Sequence, residues 1–131
     1  MIKYINDGDI LLSIIIKHNH TADGIEFFTP GEFSQQLAYM HHPSGHEIVP
    51  HIHNKVTRSV EFTNEVLFIK SGIVQVDFYT QDMEYLRSEV LEKGDVILLA
   101  SGGHGFKVLE EAEMIEVKQG PYMGDADKTR F

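Results

Sequence analysis

Short runs of β-branched and aromatic residues, separated by turn signals, constrain the fold of this chain more than any other feature. Ile10–Ile16 is apolar on both faces, whereas Val74–Tyr79 alternates apolar with polar residues as a half-buried strand does. Turn-forming sequences such as Asp23-Gly24, Ser71-Gly72 and Glu92–Asp95 punctuate the chain. No stretch shows sustained helical periodicity. The pattern predicts an all-β sandwich or barrel.

The remaining strands can be placed from the same signals. They are expected at Ile25–Phe28, Ser34–His42, the segment ending in His53, Glu65–Ile69, Glu84–Leu91, Val96–Leu99, Phe106–Leu109 and Met114–Lys118. A chain of 131 residues has room for one domain. We expect a barrel core at about 34–118, N-terminal strands within 10–28 and a C-terminal tail at 119–131.

Composition narrows the classes of partner. The formal charge is −9, from 20 acidic and 11 basic residues, which argues against nucleic acid or an anionic membrane surface. The chain has no cysteine, so thiol chemistry, disulfides and cysteine-based zinc sites are excluded. Its apolar run at Ile10–Ile16 is too short to span a bilayer and follows acidic residues rather than a basic region. We expect a cytoplasmic protein that binds a small molecule.

The histidine pair His51-Ile52-His53 is the first candidate site. In an extended strand, alternate side chains share a face, so both imidazoles would point the same way beside Val49. Two such imidazoles can each give one ring nitrogen to a metal ion. This spacing alone is weak, because histidines fall into it by chance in many chains.

Two further side chains strengthen the candidate site if they lie on adjacent strands of a small barrel. Together the set would supply three imidazoles and one carboxylate: His51, His53, Glu65 and His104. These donors suit one divalent transition metal (Fe, Mn, Co, Ni, Zn or Cu) and leave positions open for water or substrate. The alternative is a metal-free polar pocket in which the histidines hydrogen-bond to one another and to the carboxylate.

The same residues carry a family resemblance. The first cupin motif is a glycine, five residues, H-x-H, three or four residues, a glutamate, six residues and a glycine. Its positions are matched here by Gly45, His51, His53, Glu65 and Gly72, and those of the second motif more loosely by Gly94, Gly102 and His104. The chain therefore resembles a single-domain cupin. That resemblance implies a cupin-type double-stranded β-helix, the jelly-roll barrel, with the four donors above as metal ligands.

Departures from the motifs leave one ligand open. Eleven residues separate His53 from Glu65, so Glu61 competes for the carboxylate role, although only Glu65 keeps the six-residue spacing to Gly72. The second motif departs at three positions: Ala100 replaces proline, His104 comes one residue early and Val108 replaces asparagine. Loop length absorbs the first two of these changes.

The resemblance implies a class of chemistry but no reaction. The chain is also similar to a little-characterised group of small bacterial cupins, through His51–Asn54, Ser101–Phe106 and Ile115–Tyr122. We expect a metal-dependent enzyme on a small polar substrate, for which the resemblance suggests a sugar derivative, with oxidation of the dioxygenase type or isomerisation. The alternatives are a metal-free sugar-nucleotide isomerase or epimerase with a histidine base, and a non-catalytic binding or sensing barrel.

Other residues receive lesser expectations. Val66 and Phe68 would face away from the pocket, so either the N-terminal strands or a second subunit must cover them, and we expect a homodimer. The histidines outside the candidate set are expected to be solvated or to bind metal only adventitiously: His18, His20, His41, His42 and His46. Candidate pocket-lining residues are Gln36, Met40, Phe106, Glu116 and Tyr122.

Overall fold

The protein is nearly all β. A computed structural model describes all 131 residues, of which 49% lie in strands that form a strongly curled antiparallel half-barrel. No helix in it has the length and apolar character needed to cross a membrane. The all-β prediction is confirmed, and the curled sheet forms an open half-barrel.

Eight strands and one short helix make up the regular structure. In chain order they are β1 (Ile2–Asp7), β2 (Ile10–Ile16), β3 (Gly24–Phe27), β4 (Ala38–His41), β5 (Glu65–Tyr79), β6 (Tyr85–Glu92), β7 (Val96–Leu99), β8 (Gly103–Lys118) and a 3-10 helix (Gly124–Asp127). The main sheet runs β1-β2-β7-β5-β6, with β8 paired to β5, while β3 and β4 form a separate hairpin.

Strand β5 is the centre of the half-barrel. Along one side its first residues pair with β7 and its second half pairs with β6. Along the other side β8 pairs with it from Glu65 to Tyr79. The register of that pairing shifts around Ser71 and Ile73, and such bulges bend and twist a strand pair. The bend curls the sheet around a concave face.

Alternate residues of the same strands build two cores, one on each side of the sheet. On β7, Ile97 and Leu99 face the inner core, which also contains Ile5, Ile15, Leu67, Ile69, Val76, Phe78 and Leu91. Leu98 faces the outer core with Ile14, Ile16 and Phe28, against which Val66, Leu37 and Tyr39 pack. Strand β2, whose sequence is apolar on both faces, is therefore covered on both sides.

One prediction about the histidine pair is wrong. Residues 42–64 contain no strand or helix, so His51 and His53 do not lie on a strand. Pro50 has no backbone N–H to donate to a neighbouring strand, and no strand of either sheet pairs with this segment. A period-2 pattern in the sequence did not suffice without a pairing partner.

Other boundaries also differ. Ser34–His42 contains only the short β4, and β1 was not predicted. The segments on each side of Ser71-Gly72 are one strand, β5, because pairing with β8 continues through the bulge. The predicted strands Phe106–Leu109 and Met114–Lys118 are likewise joined in β8.

The outer face is only partly covered. Val66 packs against the outer core, whereas Phe68, Ile115 and Val117 remain 39%, 53% and 58% exposed. Phe68 pairs directly with Ile115, and Val66 pairs with Val117, so these side chains form one apolar strip. The homodimer stays a prediction.

Candidate functional site

The concave face of the half-barrel forms an open cavity of about 1240 Å³. Strand β5 contributes Glu65 and Leu67 to its wall, and β8 contributes His104, Phe106 and Glu116. Two of the four predicted donors, Glu65 and His104, therefore face one cavity. Of the predicted lining residues, Phe106 and Glu116 lie in this wall, whereas Gln36, Met40 and Tyr122 do not.

Sheet register and a short connection bring Glu65 to His104. Leu99, the last residue of β7, lies directly opposite Glu65. The chain then reaches β8 within a few residues, and His104 is the second residue of that strand. His104 Nε2 lies 2.7 Å from Glu65 Oε1. The pair is thus fixed by the order of β7, β5 and β8 in the sheet.

Gly102 makes the short connection possible. Its φ is +70°, and a Cβ atom there would lie 2.5 Å from the Tyr79 carbonyl oxygen and 2.9 Å from Leu12 Cδ2. An L-residue with a side chain would be strained by this φ and would collide with backbone. The glycine that matches the second motif therefore holds the chain in the path that leads to His104.

Glu65 and Glu116 form a carboxyl pair beside His104. The hydrogen bond from His104 is the main cause that lowers the pKa of Glu65 to about 2, against the opposing effect of burial. Hydrogen bonding to Glu65 is the main cause that raises the pKa of Glu116. Lys118 pairs with Glu65 across the strands and favours the charged form of both carboxylates. The cluster therefore stabilises the charged form of Glu65 and the neutral form of Glu116 relative to isolated carboxyl groups.

The lowered pKa of Glu65 predicts a stability difference that depends on pH. Its ionised form contributes stability that is present above the unfolded value of 4.5 and is lost as pH falls toward about 2. Glu65→Gln should lower the free energy of unfolding by about 1–2 kcal/mol at pH 6, after allowance for solvent screening. The difference should shrink between pH 4.5 and 2. Urea unfolding in EDTA at several pH values measures it.

Glu61→Gln is the matched control for this experiment. Glu61 also lines the cavity, but its side chain is exposed and makes no hydrogen bond or ion pair. The substitution should change the free energy of unfolding by less than about 0.5 kcal/mol at every pH. A wild-type to Glu65→Gln difference that stays constant down to pH 2 would contradict the assignment.

The other two predicted donors lie together on an exposed segment. The ring centroids of His51 and His53 are 5.2 Å apart, and neither residue lines the cavity. His51 Nδ1 lies 2.9 Å from the Val49 carbonyl oxygen. A carbonyl only accepts, so this nitrogen carries the hydrogen, and in the neutral ring Nε2 then has a lone pair for a ligand. That arrangement is common in metal-binding histidines.

The sequence did not predict that the C-terminal tail reaches the site. Residues 127–131 line the cavity, and the Phe131 ring meets Tyr79 edge to face at a centroid distance of 5.0 Å. Residues 127–131 bring Lys128 and Arg130 to a wall that also holds Glu65 and Glu116. No sequence motif predicts this contact, because a polar tail after the last strand has no periodicity that indicates where it packs on the sheet.

The histidines outside the candidate set have varied surroundings. His18 pairs with Glu92 at 2.8 Å, and His41 lies 3.5 Å from Asp23. His42 and His46 stack with their ring planes 11° apart. His20 was expected to be solvated, but it is mostly buried between the edges of Phe28 and Tyr39. None of these residues lines the cavity.

The donor atoms suit a transition metal, but they lie in two separate pairs. One pair is Glu65 with His104, and the other is His51 with His53. Neighbouring ligands of a first-row metal, each at about 2.0–2.2 Å, are about 3 Å apart. Glu65 Oε1 and His104 Nε2 are separated by 2.7 Å, the distance of a charge-assisted hydrogen bond, so His104 Nε2 must lose its hydrogen before both atoms can bind one ion. Three or more histidine, aspartate or glutamate side chains do not converge anywhere in a geometry that could hold a metal.

Comparisons with known proteins do not assign the chain to a family. No protein-family profile, curated protein or solved structure matches the chain. The cavity and its lining residues are therefore the features that indicate a function.

Proposed function

We propose that the protein is a cupin-type barrel that binds one divalent transition metal and acts as a metal-dependent enzyme on a small polar molecule. The ligands in this proposal are Glu65 and His104 from the cavity wall, with His51 and His53 from the exposed segment. The observation that carries it is the 2.7 Å contact between Glu65 and His104 in the wall of a 1240 Å³ cavity.

The residues around this pair suit the binding of a polar substrate. Leu67 and Phe106 give the cavity apolar walls next to the two donors, and Glu116 can exchange hydrogen bonds with a substrate hydroxyl. A bound metal would polarise a substrate oxygen or bind O2. Oxidation and isomerisation both fit these groups, and the sugar-derived substrate follows from the resemblance alone.

Metal affinity tests the proposal directly. The metal-free protein is titrated by calorimetry with Mn²⁺, Ni²⁺, Zn²⁺ and, without oxygen, Fe²⁺. We expect one site per chain for at least one of these metals. Glu65→Gln, His104→Gln and the double variant His51→Gln/His53→Gln should each weaken binding at least tenfold, because each removes donors.

His18→Gln is the matched control, since it also removes one imidazole but lies outside the cavity. Its affinity should equal that of the wild type. If none of the metals binds, or if Glu65→Gln and His104→Gln bind as tightly as His18→Gln, the proposal is wrong.

A second candidate function is favoured by the same contact. A carboxylate that hydrogen-bonds to one ring nitrogen orients a histidine and supports its action as a base. In this reading His104 moves a proton of a sugar derivative without a metal, as in a sugar-nucleotide isomerase or epimerase. Turnover that survives exhaustive EDTA treatment and is lost in His104→Gln would favour it over the metal-dependent enzyme.

A further inference from the structure

We infer that residues 46–62, here named the histidine strap, close over the cavity when His51 and His53 join Glu65 and His104 on one metal ion. The inference rests on the proposed function. It explains why the predicted donors lie in two pairs, one on the wall of the half-barrel and one on an exposed segment of the same chain.

The strap is in an open state. Every residue from 46 to 62 is exposed, and its apolar members include Val49 and Ile52, which are 76% and 85% exposed. Isolated exposed apolar residues are ordinary, but a whole segment that buries none of them has no packing to hold it in place. The strap therefore has apolar surface available for a second position.

The half-barrel offers an acceptor surface for this segment. β8 is 16 residues long and pairs only with β5, so the backbone groups along its other edge are unpaired. Such an edge accepts an added strand. Inside the curl, half-buried Phe106 and exposed Met114 line the open cavity and leave apolar surface uncovered. A strap laid along this edge would satisfy backbone groups and cover that surface.

Charge favours the same position. The middle of the strap, residues 51–58, carries Lys55 and Arg58 and no acidic residue, whereas Glu47 and Glu61 lie near its two ends. The facing strand β8 is acidic, with Glu110, Glu111, Glu113 and Glu116 against only Lys107 and Lys118. Opposite charges therefore favour an approach of this middle part of the strap to β8.

The anchor of the strap makes closure geometrically possible. Asn64 is buried, and its carbonyl accepts a hydrogen bond from the Gln119 backbone N–H at 3.1 Å, next to the end of β8. Eleven residues then separate Glu65 from His53, which span up to roughly 40 Å when extended. The histidine pair can therefore reach the Glu65–His104 pair from its anchored end.

Metal binding determines whether the strap is open or closed. Ordering the strap costs conformational entropy, which keeps it open in the absence of metal. Joining two donor pairs on one ion releases free energy that an unconnected pair cannot gain, so metal binding and strap ordering are linked. Proton or ligand binding at the wall alone would leave His51 and His53 outside.

Limited trypsin digestion of the full chain tests the closure, because Lys55 and Arg58 are exposed cleavage sites within the strap. Mass spectrometry follows the cleavage rate after these two residues in EDTA and with saturating metal. We expect at least tenfold slower cleavage with metal in the wild type and in His18→Gln. Glu65→Gln and His51→Gln/His53→Gln should show no protection, and a small chromogenic substrate checks that the metal leaves trypsin active.

Each contrary result has a distinct meaning. Metal that binds as proposed but leaves strap cleavage unchanged overturns closure and leaves the proposed function standing. Absence of metal binding overturns both. Protection that increases with protein concentration, together with a dimer in analytical ultracentrifugation, assigns the cavity to the strap of a second copy and overturns closure within one chain.

Discussion

Gly72→Ala is expected to lower the free energy of unfolding by about 2–5 kcal/mol. Gly72 lies at the bulge of β5 with φ at +83°, and an added Cβ would be 2.1 Å from the Glu111 carbonyl oxygen and 2.6 Å from Ala112 Cα. The left-handed backbone costs an L-residue about 1–2 kcal/mol. Displacing the β8 backbone costs about 1–3 kcal/mol more, because main-chain atoms cannot rotate out of the way.

Gly8→Ala is the matched control. Gly8 also has a positive φ, +57°, but a Cβ there meets nothing within 4 Å. This substitution should cost only about 1 kcal/mol. Urea unfolding followed by tyrosine fluorescence measures both, since the chain has five tyrosines and no tryptophan. Equal costs at the two glycines would show that β8 does not press on β5 at the bulge.

Asp95→Ala should lower the free energy of unfolding by about 3–5 kcal/mol. The Asp95 side chain is fully buried at the turn between β6 and β7. It accepts hydrogen bonds from the Glu92 and His18 backbone N–H groups at 2.8 and 2.7 Å, and from Lys17 Nζ at 2.5 Å. Removing the carboxylate leaves two backbone donors and one mostly buried ammonium group without their partner.

Two lysine substitutions, each of which removes one cation, show how burial changes the strength of an ion pair. Lys17→Met removes the cation from buried Asp95 and should cost about 3 kcal/mol, because it leaves the buried carboxylate without its counter-ion. Lys3→Met breaks the pair with Glu89, in which Lys3 is 37% exposed, and should cost less than about 1 kcal/mol. If the two variants unfold at the same urea concentration, burial of Asp95 does not control the strength of its interactions.

Local sequence predicted the strands that are buried on both faces. β2 and β7 begin and end where their apolar runs do, because a continuous β-branched run fits only a strand covered on both sides. The joining of segments into β5 and β8 was not predictable in this way. Ser71-Gly72 has the composition of a turn, and only the distant residues Glu110 and Glu113 make it a bulge within a continuous strand.

Motif spacing was enough to predict only part of the candidate site. The six residues between Glu65 and Gly72 pointed to Glu65 rather than Glu61, and the structure places Glu65 against His104. Glu116 was predicted to line the pocket but not to pair with Glu65, because that contact depends on the β5–β8 register. The expected strand at His51 and His53 failed for the same reason, since pairing partners are not encoded locally.

The pairing of β2 with β7 has a consequence for folding. It joins residues far apart in the chain, as in the hydrogen bond from Ser13 Oγ to the Leu98 carbonyl, which spans 85 residues. Contacts between residues so far apart in sequence slow folding. The entropic cost of closing the intervening loop, however, rises only with the logarithm of its length. Doubling the segment between β4 and β5 would cost roughly 0.6 kcal/mol. The scaffold can therefore accept longer, shorter or exchanged inserts at this point, so that new binding specificity can evolve without a new fold.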